Sequence, residues 1–144
     1  MRAKDFLQQV AKLDKLIENK LIEIQQLKAL ADNTTGNMTG DRVQTTRNPN
    51  RIPDAICRYI DIEQEIKGHV DEYIRAKQRV ISVIEQLSPT EYDILHKIYV
   101  QGLTMYDVAD KYDRTYSWVT TIHGRALKNV QKILNDSERR NNGE

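Results

Sequence analysis

The chain has 144 residues, a length that suits one ordinary domain or two small ones. Its 22 basic and 21 acidic residues nearly cancel, so any affinity for nucleic acid has to come from local charge. The single cysteine, Cys57, excludes an internal disulfide and a multi-cysteine zinc site, and no apolar run approaches the length of a transmembrane helix. We therefore expect a cytoplasmic protein that has no membrane partner.

The first part of the chain predicts one long helix and a loop. Apolar residues recur every three or four positions over residues 4–31, which is the spacing of one helix face. Residues 32–50 are rich in Asn, Thr and Gly and predict a long flexible loop.

A second periodic segment covers residues 51–87. Its apolar positions alternate steps of four and three, which is typical of a coiled coil, and Glu63 and Lys77 are the polar breaks. Two long helices joined by a loop favour an antiparallel hairpin over residues 1–87. The apolar stripe of the first helix is wide enough to leave surface for a partner, so we expect a homodimer through this hairpin.

Residues 88–135 predict a separate domain of three helices. Ser88 or Thr90 can cap the first of them, which ends before Gly102. The tail, residues 136–144, has nothing to bury and is expected to be disordered. The fold class is therefore all-α, a long hairpin followed by a three-helix domain.

The last two helices have the spacing of a helix-turn-helix. A short helix is expected over residues 105–112 and a longer one from the N-cap Thr115 to about Leu134. Asp113 falls at the turn, where a positive φ is often required and Asp tolerates it.

The last helix has an apolar face and a basic face. Val119, Ile122 and Ala126 predict the inner face. The predicted outer face comprises Tyr116, Ser117, Thr120, Thr121, His123, Gly124 and Lys128. Residues 114–135 contain four basic residues and no acidic one, so this helix is the one expected to enter a groove of double-stranded DNA.

The C-terminal third resembles region 4 of bacterial sigma factors. The residues that carry the resemblance are Glu91, Ile94, Leu95, Gly102-Leu103-Thr104, Val108-Ala109, Thr115, Val119 and Arg125-Ala126-Leu127. The whole chain, with its opening KLDKLIENKLIEIQQLKAL and its later WVTTIHGRAL, resembles small proteins of Gram-positive phages that are related to the RinA/ArpU-type late transcription regulators.

The resemblance implies sequence-specific promoter binding, with the last helix in the major groove and bacterial RNA polymerase as a further partner. Base contacts would come from Tyr116, Ser117, Trp118, Thr120 and Thr121. Phosphate contacts would come from Arg114, Arg125 and Lys128. Thr115 and His123 complete the candidate DNA-binding set. The side chain of Trp118 either faces the DNA or packs against the preceding helix.

A second hypothesis is a coiled-coil adaptor or inhibitor, for example of RNA polymerase, that does not bind DNA unaided. The near-zero net charge supports it, as does the lack of the Arg, Glu and Gln that sigma factors favour at the recognition positions. An enzyme is not expected, because the chain has no Gly-rich phosphate loop, HExxH or GxSxG motif. We expect no cofactor and no metal site.

Overall fold

A computed structural model of the chain describes residues 1–36 and 51–143. This part contains no strand, and its helices are α1 (Ala3–Gly36), α2 (Arg51–Ile84), α3 (Pro89–Leu95), α4 (Met105–Tyr112) and α5 (Tyr116–Asn142). A π-helical turn, His96–Val100, continues α3. None of the described helices could span a membrane. The all-α prediction is confirmed.

The N-terminal helix is longer than predicted. It includes the start of the predicted loop and continues to Gly36, the last described residue before residue 51. Asn and Thr each disfavour a helix only weakly, by roughly half a kcal/mol relative to Ala, so they do not stop it. The rest of the predicted loop, residues 37–50, lies outside the described residues.

The C-terminal helix is also longer than predicted. α5 continues to Asn142, so the tail expected to be disordered is helical over most of its length. The Ser137 hydroxyl donates to the carbonyl of Ile133 at 2.9 Å, and the amino group of Met1 lies 3.2 Å from Glu138 Oε1. These contacts hold a segment that has no apolar side chain to bury.

The chain forms two compact units. The hairpin unit is Asp14–Glu72, and the C-terminal unit is Met1–Leu13 together with Tyr73–Glu144. The division therefore does not fall at the predicted boundary between residues 87 and 88. The reason is that the first turns of α1 and the last turns of α2 bury their apolar side chains in the core of the C-terminal unit.

Within the hairpin unit the two helices run antiparallel, as predicted. Lys20 Nζ on α1 lies 3.0 Å from Glu65 Oε2 on α2. Leu27, two turns later on α1, lines a surface cavity with Ile56, which is earlier on α2. Ile62 is buried between the helices. The neighbouring Glu63 is exposed, so its prediction as a polar break in this seam is wrong.

Two apolar clusters form the core of the C-terminal unit. The first contains Ala3, Phe6, Leu7, Val10, Val80, Ile84, Leu95, Tyr99, Ala126 and Val130. The second contains Ile94, Val108, Ala109 and Val119, and it joins α3, α4 and the start of α5. Because α5 contributes to both clusters, its orientation is set along much of its length. Lys77, the other predicted polar break, is half-buried here with its ammonium 5.7 Å from the Tyr73 ring centre.

Candidate nucleic-acid interface

The first helix of the helix-turn-helix begins with a reciprocal cap. The Thr104 hydroxyl accepts from the backbone N–H of Asp107 at 3.2 Å, and the Asp107 carboxylate accepts from the backbone N–H of Thr104 at 3.0 Å. The same backbone bond lowers the pKa of Asp107. Two of the N–H groups that a helix start leaves unpaired are thereby satisfied.

The turn between α4 and α5 has the predicted geometry. Asp113 has a φ of +51°, which confirms the expected left-handed residue. The Thr115 hydroxyl accepts from the backbone N–H of Trp118 at 3.1 Å and caps α5, also as predicted. Local side-chain chemistry therefore fixes where both helices begin and how the chain turns between them.

A polar network attaches α4 to α3. The Asp93 carboxylate accepts from Lys97 Nζ at 2.6 Å and from the hydroxyl of Tyr112. Burial acts to raise the pKa of Asp93, but the bonds from Lys97 and Tyr112 outweigh it and the pKa is lowered. Burial and the adjacent carboxylate raise the pKa of Tyr112 to about 12.

Tyr112→Phe should cost about 1.5 kcal/mol of unfolding free energy near pH 8, because a hydrogen bond to a carboxylate is lost. The phenol of Tyr112 has a higher pKa in the folded chain than in the unfolded one, about 12 against 10. Its contribution is therefore complete below pH 10 and is lost as the pH rises towards 12. Urea titrations of both proteins at pH 8 and pH 11 should show the difference shrinking. A difference that does not change with pH would contradict the assignment.

The face of α5 opposite the core carries a stripe of exposed polar and basic side chains. We call it the α5 stripe; it comprises Ser117, Thr121, Arg125, Lys128 and Lys132, and all five are exposed. At about 100° per residue they lie within roughly 80° of one another on the helix. No acidic side chain interrupts the described sequence over this span. The stripe is therefore positive at its C-terminal half and hydroxyl-rich at its N-terminal half.

The hydroxyl groups at the start of α5 are already partly engaged. Thr120 and Thr121 each donate to the carbonyl of Ser117 at 2.9 Å. Their oxygens keep free lone pairs, so in this arrangement the hydroxyls accept hydrogen bonds, and the Thr121 side chain is exposed. An amino group of adenine or cytosine and the methyl of thymine are base-edge groups that suit such side chains.

Sequence reasoning missed one aromatic residue beside this surface. Tyr106, at the start of α4, is 67% exposed and stacks on Tyr116 with ring centres 4.5 Å apart. Tyrosine is enriched at binding interfaces, so this exposed pair is a candidate contact. The available signal was the position of Tyr106 next to the α4 cap, since the start of the first helix lies beside the backbone of a bound duplex.

His123 belongs to the predicted DNA-binding set, but its side chain lies in the core and not on the outer face of α5. It is buried, and its Nε2 lies 2.8 Å from the hydroxyl of Tyr99. Burial lowers the pKa of His123, and Lys4 lowers it further. Its position follows from the spacing, because Val119, His123 and Ala126 lie four and three residues apart on the core-facing side.

Trp118 occupies an intermediate position. It is half-buried against the second core cluster, with its ring 5.4 Å from that of Tyr112. The exposed Arg114 guanidinium lies 5.4 Å from the Trp118 ring centre, within the range of a cation–π contact. Trp118 therefore packs on α4 and positions Arg114 rather than standing free as a recognition side chain. Thr120 is also only partly exposed.

The helix-turn-helix has known counterparts. Residues 83–132 match the family model described as Sigma-70, region 4. The RNA polymerase sigma factor SigO of Bacillus subtilis (strain 168) is 27% identical over 81 residues, which are 56% of this chain and 43% of that protein. The chain thus covers less than half the length of this relative. No solved structure matches the chain. Residues 83–132 are similar to region 4 of sigma-70 factors, and the wider resemblance to phage regulators stays a prediction.

Proposed function

We propose that the protein is a sequence-specific DNA-binding transcription regulator that inserts α5 into the major groove. The observation that carries this proposal is the α5 stripe, exposed on the second helix of a helix-turn-helix and free of acidic side chains. That helix is the one that enters the groove in proteins of this type. The similarity of residues 83–132 to sigma-70 region 4 supports the same conclusion.

The proposed contacts divide into two kinds. Ser117 and Thr121 meet base edges, while Arg125 and Lys128 meet phosphates and set the position of the helix. Arg114, Thr115 and the Tyr106–Tyr116 pair flank this surface at the start of the two helices. Base recognition by short hydroxyl side chains alone predicts modest specificity for a single copy of the chain.

The biological setting is part of the proposal. The resemblance to phage regulators favours control of phage genes in the cytoplasm of a bacterial host. The similarity to a sigma factor favours RNA polymerase as a second partner. A homodimer would present two copies of α5 and compensate for the modest specificity of each.

Selection of bound duplexes from a random DNA library tests the proposal. At about 150 mM salt non-specific binding is weak, so an enriched motif is expected, with two half-sites a whole number of helical turns apart. Failure of the folded protein to enrich any sequence, with or without RNA polymerase, would contradict it. An Asp113→Pro variant, which cannot adopt the positive φ of the turn, serves as the inactive control.

A protein-interaction adaptor remains the second candidate, favoured by the large apolar side chains exposed in the hairpin unit. Salt dependence separates the two functions. Six or more phosphate contacts should reduce DNA affinity about 10³-fold between 50 and 200 mM salt. An adaptor that does not bind DNA should show no such slope with any duplex.

A further inference from the structure

The outer side of α2 in the hairpin unit carries a second stripe that is separate from its buried seam. We call it the α2 stripe; it comprises Ile56, Ile60, Glu63, Lys67 and Val70. These positions alternate steps of four and three, which is the spacing of a helix–helix seam. At about 100° per residue the centre of the stripe lies roughly a third of a turn away from buried Ile62.

The α2 stripe is apolar at both ends and charged in the middle. Ile56 is 51% exposed and Ile60 is 46% exposed, whereas Val70 is half-buried. Glu63 and Lys67 are exposed, and neither has an ion-pair partner among the described residues. Two isoleucines exposed to water on the same face of a helix are unfavourable, so we infer that another protein surface covers them.

We propose that this stripe packs antiparallel on the same stripe of a second copy of the chain. The order of residues is self-complementary about a two-fold axis: the alignment that places Glu63 opposite Lys67 of the second copy also places Ile60 opposite Val70. Each ion pair then occurs twice, as a two-fold interface requires. A parallel alignment would instead place Glu63 against Glu63 and Lys67 against Lys67, and like charges repel.

This inference rests on the homodimer of the proposed function and specifies its surface and direction. The charged centre fixes the alignment, because sliding one helix by a turn would bring a charged side chain against an isoleucine. The apolar ends supply most of the stabilisation. The α2 stripe therefore accounts for both the exposure of its isoleucines and the position of its two charges.

Sedimentation equilibrium of the full chain tests the surface. The wild-type chain is expected to dimerise, and Ile60→Asp should weaken dimerisation by about tenfold or more, because it places a charge at the centre of an apolar contact. Ile22→Asp is the matched control: Ile22 is also 46% exposed in the hairpin unit but lies on α1. A monomeric wild-type chain, or equal effects of the two substitutions, would overturn the proposal.

Exchange of the two charges tests the antiparallel direction of the two α2 stripes. This test leaves every apolar residue of the stripe in place. Glu63→Lys and Lys67→Glu should each weaken the dimer about tenfold, since two pairs become repulsive, and the double exchange should restore it. Absence of rescue would overturn the antiparallel alignment. If the chain is a monomer but still selects a DNA motif, only the proposed dimer surface is contradicted. If it forms the dimer but selects no motif, only the proposed DNA-binding function is contradicted.

Discussion

Reversing two charges of the α5 stripe, Arg125→Glu together with Lys128→Glu, should lower DNA affinity by at least about 100-fold. Each substitution removes a phosphate contact and adds a repulsive charge, so the slope of log affinity against log salt should fall by about two units. Fluorescence anisotropy with the selected duplex at several salt concentrations measures both quantities. Circular dichroism should show unchanged helicity, because both side chains are exposed.

The matched control changes the net charge of the same helix by the same amount at a different position. Arg139→Glu together with Arg140→Glu lies beyond the α5 stripe, about 21 Å along the helix from Arg125. If the position of the charge decides binding, this variant should retain most of the affinity. Equal losses in the two double variants would show that net charge alone governs binding, and would contradict the assignment of the stripe.

Leu7→Ala should lower the unfolding free energy of the C-terminal unit by about 3 kcal/mol. Leu7 is 0% exposed in the first core cluster, and truncating such a side chain leaves a cavity that relaxes only in part. Denaturant titration followed by the fluorescence of Trp118, the single tryptophan, monitors the helix-turn-helix directly. The test is informative because Leu7 and Trp118 are more than a hundred residues apart in sequence.

Ile74→Ala is the control for this substitution. Ile74 belongs to the same unit and is 47% exposed, so at concentrations where the chain is monomeric its truncation should change the unfolding free energy by no more than about 0.5 kcal/mol. An unchanged Trp118 transition in Leu7→Ala would mean that the start of α1 does not contribute to the helix-turn-helix core. The predicted division at residue 87 would then describe the stability of the chain better than the two compact units do.

The features that sequence predicted well are those set by neighbouring residues. The start of α4 and the Thr115 cap depend on side chains bonding to backbone within three positions, and the left-handed turn depends on the tolerance of Asp113 for a positive φ. The basic face of α5 was also predicted, because helical periodicity relates its residues without reference to any other element. These local signals are enough to predict a helix-turn-helix and to place Lys128 on its outer face.

Predictions for residues at the edge of a face were less successful. Ile62 is buried where Glu63 was expected, and His123 is buried where a DNA contact was expected. In both cases the apolar stripe is wider than one row of residues, so its periodicity does not fix the centre of the face. The centre of the face is decided by the side of the helix that the neighbouring element covers, as the hydrogen bond between Tyr99 and His123 illustrates.

Sequence was sufficient for the order of the helices, for the caps of α4 and α5 and for the charge of α5, because each of these depends on contacts within a few residues. It was not sufficient for the composition of the C-terminal unit, in which Leu7 joins Leu95 and Val130 in one core. An amphipathic stripe predicts that one face of a helix is buried, but it does not predict which of several apolar faces covers it. The pairing of these faces depends on how the start of α1, the segment around Leu95 and α5 fit together, and those three segments meet only in the folded chain.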